Sequence, residues 1–347
     1  MKKILLIGLL LGHPLMAYAE GQDATSLLVS GDDPTTSLAD TAQPQGVGWN
    51  DLDPDLTGTA LWEGFRLEND PIRPESLKPE LRRPELLRPG SPAPKLHSAI
   101  ALIYDQQTQR PLYTKNANAR ASIASITKLM TAMVVLDALQ PLDEAISIDA
   151  SDIDRLKRTP SRLNVGMTFT RNEMLSLALM SSENRAASAL ARSYPGGTAA
   201  AVAAMNAKAR ELGMQNTYFL DPAGLNGGNV STAQDLVKMV AAANNYALIH
   251  QYTTATSNSV EGLGGRVLRF INTNPLVRNV GWNIGLSKTG FINEAGRCLV
   301  MEANINQRSV IIVLLNSWGK RTRIGDANRI KKWMESADAR SRPPRRG

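Results

Sequence analysis

Ser125-Ile-Thr-Lys128, Ser182-Glu-Asn184 and Lys288-Thr289-Gly290 occur in that order along the chain, and each carries side chains suited to acyl transfer. A serine hydroxyl is a poor nucleophile until a neighbouring base removes its proton. Ser125 and Lys128 stand three residues apart, a spacing that on a helix puts both side chains on one face, one turn apart. Lysine serves as that base only when its pKa falls from about 10.4, through burial or a second cation close by. Lys288 is the candidate second cation, and a helix N-terminus at Ser125 favours a developing alkoxide. Histidine and cysteine chemistry has little to work with, because the chain holds only His13, His97 and His250 and the single Cys298. One cysteine makes neither an internal disulfide nor a CxxC metal site. Cys298 lies in an apolar, strand-like run and is expected to be a small buried side chain.

The S-x-x-K spacing alone is a weak signal. Ser317-Trp-Gly-Lys320 repeats it, but follows a strand-like run at a Gly turn and reads as a strand-to-helix connection. Ser125 by itself also suits a plain helix N-cap. The other two motifs decide between these readings. Ser182 and Asn184 fall in the break between two helical runs, where a loop can aim both into a cleft. Lys288-Thr289-Gly290 stands at the end of a plausible strand over 282–286, and Gly290 lets a substrate backbone come close.

The elements that must position these residues form a clear pattern. Residues 98–104, a turn at 105–108 and a return at 111–115 predict a hairpin. Residues 297–305 and 309–315 predict a second, around 306–308. Helices fill the middle: 129–139, apolar nearly all round and so buried; a run at 174–180 opened by the capping box Thr170-Arg-Asn-Glu173; one from 186 to the stop at Pro195-Gly196-Gly197; one over 198–212, ending at Gly213. A fifth is expected to start at the box Ser231-Thr-Ala-Gln234. The last, over 322–337, has Ile324, Ala327, Ile330 and Met334 at helical spacing. Strands at both ends with helices between them imply an α+β fold, one antiparallel sheet flanked by helices and holding an inserted helical subdomain.

Four segments are expected in the 347 residues. Residues 1–19 have the form of a secretory signal peptide: Lys2 and Lys3, an apolar run over 4–12, and Ala17-Tyr18-Ala19 before a cut at Glu20. That apolar run is well short of the ~20 residues a membrane span needs. Residues 20–95 form an extension, acidic at first and then proline-rich, with Pro74, Pro79, Pro84 and Pro89 at five-residue intervals, which favours an extended spacer. Leu77, Leu81, Leu86 and Leu87 offer the alternative of a docking strip. Residues 96–337 form the folded domain, and 338–347 a basic, solvated tail, with peripheral association with the wall or an anionic membrane as its alternative. Despite a net charge of +7, the sequence has no aromatic interleaving and no nucleic-acid motif, so no nucleic-acid partner is expected.

All three motifs in this order resemble the serine acyl-transfer enzymes that bind or destroy penicillins. The resemblance extends through Ser122-Ile-Ala-Ser-Ile-Thr-Lys-Leu-Met-Thr-Ala, Leu179-Met-Ser-Ser-Glu-Asn-Arg-Ala-Ala, Asp221-Pro-Ala-Gly-Leu-Asn-Gly-Gly-Asn-Val-Ser-Thr-Ala and Ser287-Lys-Thr-Gly-Phe-Ile. These look like the low-molecular-mass penicillin-binding proteins, serine D,D-peptidases of the S11 kind, over residues 96–337. The proline-rich extension departs from them. The resemblance implies a β-lactamase/transpeptidase-like fold and Ser125 as acylated nucleophile with Lys128 as general base. It further implies that Ser182 and Asn184 relay protons and hold the substrate amide. Lys288 and Thr289 would bind the substrate carboxylate, and the backbone N–H groups of Ser125 and Phe291 would form the oxyanion hole. No cofactor and no metal are implied. The partners implied are peptidoglycan peptide stems, with β-lactams as inhibitors, and the location is the periplasm without a transmembrane segment.

Three activities fit those residues: endopeptidase cleavage of D-alanyl cross-links, D,D-carboxypeptidase trimming, and β-lactamase action. Membrane-bound carboxypeptidases of the family often carry an extra β-rich domain and an amphipathic C-terminal anchor. Arg-rich, apolar-poor sequence follows the last helix here, which favours the endopeptidase. A class A β-lactamase needs a carboxylate in Glu-x-x-Leu-Asn. Asp221-Pro-Ala-Gly-Leu225-Asn226 is one residue too long, so Asp221 is expected to be a turn or cap residue. A non-catalytic β-lactam sensor is the remaining alternative.

Overall fold

The strand over residues 310–315, Val-Ile-Ile-Val-Leu-Leu, is apolar without alternation, the pattern of a strand covered on both faces. In the computed structural model, which describes residues 93–341, it is the middle of a five-stranded sheet. The strands are β1 (Ile100–Asp105), β2 (Arg110–Lys115), β3 (Ala121–Ser122), β4 (Ala145–Ser147), β5 (Thr168–Thr170), β6 (Val230–Ser231), β7 (Ser257–Glu261), β8 (Val267–Ile271), β9 (Asn283–Ile292), β10 (Gly296–Ile305) and β11 (Arg308–Ser317). The large sheet has the order β2-β1-β11-β10-β9 and is antiparallel throughout, with Ile100 opposite Leu315 and Lys288 opposite Val300. The remaining strands pair two by two: β3 with β6, β4 with β5, β7 with β8.

Side chains alternate across a strand, so β11 supplies two cores. Ile311, Val313 and Leu315 join the cluster on the helical side, while Val310, Ile312 and Leu314 join Ala327, Ile330, Trp333 and Met334 of the last helix. The helices are α1 (Thr127–Asp137), α2 (Arg171–Met180), α3 (Asn184–Arg192), α4 (Gly197–Glu211), α5 (Ala233–Ala243), α6 (Ala247–Thr254) and α7 (Thr322–Ser341). Helix α1 is buried from Thr127 to Val135 and packs against α2, α3, α4 and α5. A helix apolar on every side has no solvent face to offer, and this one sits at the centre of the helical layer.

Both expected hairpins, the buried helix, the Thr170–Glu173 capping box and the helix stops at Pro195 and Gly213 are present. Four boundaries are corrected. The fifth helix is capped by Thr232, whose hydroxyl accepts from the Asp235 N–H, because Ser231 is committed to β6 opposite Ala121. Lys288 lies inside β9 and not at a strand end, since pairing with β10 carries the strand on to Ile292. Ser125 precedes the helix proper, in a 3-10 turn over Ala124–Ile126, and makes no cap. Helix α7 continues to Ser341, past the expected end at Ala337 and into the segment expected to be a solvated tail. Ala337 and Ala339 favour helix, and no breaker intervenes before Pro343. The leader and almost all of the proline-rich extension lie outside the described residues, as do 342–347.

Candidate active site

Each element brings one motif to a common place. Ala124, at φ 48°, has the left-handed backbone that L-residues seldom adopt, and it turns Ser125 out of the chain just ahead of α1. Two glycines permit that turn. A Cβ on Gly224 would stand 2.0 Å from the Ala124 carbonyl oxygen. One on Gly290 would stand 2.8 Å from the Ile123 carbonyl oxygen and 3.2 Å from the Ser125 nitrogen. The strand with Lys288 therefore runs directly against the turn with Ser125, and only glycine allows the approach. Ser182 at φ 63° is also left-handed and links α2 to α3. Such residues hold about 1–2 kcal/mol of backbone strain each.

Lys128, only 1% exposed, places its Nζ 2.9 Å from Ser125 Oγ, 2.7 Å from Asn184 Oδ1 and 2.6 Å from the Ala223 carbonyl oxygen. Two of these neighbours can only accept. As an ammonium, Lys128 donates to all three. As a neutral amine it keeps two N–H groups, which the two carbonyl oxygens take, and its lone pair faces the Ser125 hydroxyl. Burial lowers the Lys128 pKa to about 7, against the pull of the Asp221, Glu183 and Asp154 carboxylates, which favour the ammonium. Both protonation states are thus within reach near neutral pH.

The second lysine serves the other side of the same loop. Lys288, also 1% exposed, donates to Ser182 Oγ at 2.8 Å and to the Thr289 carbonyl oxygen at 3.1 Å. Burial lowers its pKa well below the ordinary value, and the charges of Lys128 and Arg323 push it further down. Burial is the main cause of the lowered Lys128 pKa, and the two lysines repel each other across the site. Thr289 Oγ1 lies 2.7 Å from Thr273 Oγ1. Arg323, from α7 and 9% exposed, donates to the Gly290 carbonyl oxygen at 3.2 Å. Phe291 is half-exposed, with the Arg297 guanidinium 4.3 Å from its ring centroid.

Ser125, Lys128, Ser182, Asn184, Lys288, Thr289, Gly290 and Phe291 are thus joined through Asn184 to Lys128, Ser182 to Lys288, and Gly290 to the Ser125 turn. Asp221 takes the place of a loop cap: Oδ1 accepts from the N–H groups of Ala223, Gly224 and Leu225, and Oδ2 from that of Asn226. That network holds the Ala223 carbonyl on Lys128. Cys298 is fully buried, its thiol pushed up to about 11. Glu294 pairs with Lys157. Three further members carry no signal in the sequence: the Ala223 carbonyl, Thr273, and Thr159, whose Oγ1 accepts from Asn184 Nδ2 at 2.8 Å. A main-chain carbonyl has no side-chain signature, and the two threonines stand in no recognisable spacing. No group of His, Cys, Asp and Glu among the described residues is arranged to hold a metal ion, and no described helix is long and apolar enough to cross a membrane.

A family model described as D-alanyl-D-alanine carboxypeptidase, peptidase S11, matches residues 89–319. The D-alanyl-D-alanine endopeptidase of Pseudomonas aeruginosa is 48% identical over 262 residues, covering 73% of this chain and 84% of its own. That of Escherichia coli K12 is 47% identical over 244 residues, covering 70% and 79%. Among solved structures, the DD-transpeptidase of Streptomyces K15 superposes with a TM-score of 0.66 at 29% identity, over 71% of this chain and 99% of its own.

Proposed function

The chain belongs to the peptidase S11 family, and we propose that it is a serine D,D-endopeptidase that hydrolyses D-alanyl cross-links between peptidoglycan stems. Ser125 is the nucleophile and Lys128 its base. The observation that carries this reading is the placement of the Asn184 and Ala223 carbonyl oxygens, which take both protons of a neutral Lys128 and leave its lone pair on the Ser125 hydroxyl.

In this reading Ser125 Oγ attacks the carbonyl carbon of the cross-linking D-alanine while its proton passes to Lys128. The oxyanion forms between the N–H groups of Ser125 and Phe291, which Gly290 brings together; such donors are worth about 3–4 kcal/mol each in the transition state. The C–N bond then breaks, and the leaving amine of the neighbouring stem takes up a proton by way of Lys128 and Ser182. Water cleaves the acyl-enzyme ester in the reverse sense. Lys288 and Thr289 hold the substrate carboxylate, whose charge favours the ammonium form of a Lys288 that burial otherwise disfavours. β-Lactams acylate the same hydroxyl and inhibit. We also propose export to the periplasm, on the strength of Lys2, Lys3, the apolar run and Ala17-Tyr18-Ala19.

The test is digestion of purified cross-linked muropeptide dimers, with Ser125→Ala as control. Release of monomers by the wild type alone is expected. Release of terminal D-alanine without dimer cleavage would make the protein a carboxypeptidase instead.

A further inference from the structure

One element of the site belongs to none of the three motifs. Residues 154–163 form a loop beside α3, and Thr159 within it lies against Asn184. Asn184 Nδ2 donates to Thr159 Oγ1 at 2.8 Å. The Thr159 hydroxyl in turn donates to Asp154 Oδ2 at 2.7 Å. The Asp154 carboxylate, 7% exposed, also accepts from the N–H groups of Leu156, Lys157 and Thr159.

The direction of this chain follows from its end. An ionised carboxylate only accepts, so the Thr159 proton must point at Asp154. The lone pairs of Thr159 Oγ1 then face Asn184, and they can be met only by the amide's N–H. That leaves Asn184 Oδ1 turned towards Lys128. Were the amide reversed, its N–H would compete with the Ser125 hydroxyl for the lone pair of neutral Lys128, and the base would be blocked.

We infer that Thr159, backed by Asp154, is a positioning residue that locks the Asn184 amide in the orientation which aims Lys128 at Ser125. This deepens the acyl-enzyme reading above and rests on it. The loop itself does not depend on the Thr159 hydroxyl. Asp154 still caps Leu156, Lys157 and the Thr159 N–H without it, Ser161 Oγ donates to Glu183 Oε2 at 2.7 Å, and Arg185 holds the Leu163 carbonyl at 2.6 Å. Removing the hydroxyl therefore frees one amide and little else.

The experiment is stopped-flow acylation of the full chain by a fluorescent penicillin, separating the binding constant K from the acylation rate constant k2, for the wild type, Thr159→Val, Thr159→Ser and Ser125→Ala. Valine keeps the shape of threonine and should reduce k2 by roughly tenfold, the scale of one directed hydrogen bond, with K and the melting temperature unchanged. Serine restores the hydroxyl and should return k2 to within about threefold of the wild type. Should valine lower the melting temperature, Thr159→Ala takes its place in the same comparison. The inference is overturned if Thr159→Val matches the wild-type k2, if its loss appears in K alone, or if Thr159→Ser is as slow as Thr159→Val. A wild type that is not labelled, or a Ser125→Ala that is, overturns instead the acyl-enzyme reading beneath it, and those arms contain no change at Thr159.

Discussion

A Lys128 that serves as the proposed base must be uncharged to accept the Ser125 proton, so the rate of acylation should follow its titration. Burial brings its pKa to about 7 from the ordinary lysine value of 10.5. At about 1.4 kcal/mol per unit, that difference corresponds to about 5 kcal/mol of differential stabilisation of the neutral amine. At pH 7 about half of the molecules then hold a ready base, against fewer than one in a thousand for an ordinary lysine. Second-order acylation by a fluorescent penicillin, followed by stopped flow from pH 5.5 to 9, should rise through a midpoint near 7. The rate at pH 6 should be roughly a tenth of the plateau reached above pH 8. Lys128→Arg, whose guanidinium keeps its proton throughout this range, should abolish acylation at every pH. Glu183→Gln removes one of the carboxylates that favour the ammonium and should move the midpoint to lower pH. A flat profile between pH 6 and 8, or a midpoint above 9, would refute the assignment of Lys128 as base.

Gly290→Ala should cost about 1–3 kcal/mol of stability and slow acylation sharply, because the new methyl meets the Ile123 carbonyl and the Ser125 nitrogen; wild-type melting and labelling in the variant would contradict this. Lys288→Met replaces a buried amine by an apolar chain of similar length and should raise the melting temperature by about 2–4 °C while dimer cleavage is lost. A lower melting temperature would show that the amine is structurally required. Deleting residues 20–90 should leave cleavage of soluble muropeptides intact; its loss would make the extension part of the catalytic unit.

Local pattern carried much of the architecture. Ser125 and Lys128 could be paired from their spacing, the capping box at Thr170 and Glu173 fixed the start of α2, and the apolar runs at 297–305 and 309–315 marked the second hairpin. What spacing does not encode is which distant motif meets which. Asn184 reaches Lys128 across 56 residues, and Lys288 reaches Ser182 across 106. Neither contact is written in a short-range period. The main cause of the lowered Lys128 pKa, burial, is likewise a property of the packing around its helix and has no short-range spacing of its own. Asp154 and Thr159 were invisible because a carboxylate capping a loop is among the commonest local arrangements. Only the presence of Asn184 alongside gives this one a chemical consequence.

The first and last parts of the described chain are clasped together. Strand β1 pairs along β11, and the N–H groups of His97 and Ser98 end on the Asp326 carboxylate, 229 and 228 residues away. The same C-terminal helix sends Arg323 to Gly290. The central strand of the sheet and the brace behind the Ser125 turn are therefore synthesised after every other element of the site. A nascent chain that lacks them has no sheet to close and no completed cleft, so folding waits for the whole domain. Such late closure also makes it a slow folder by topology.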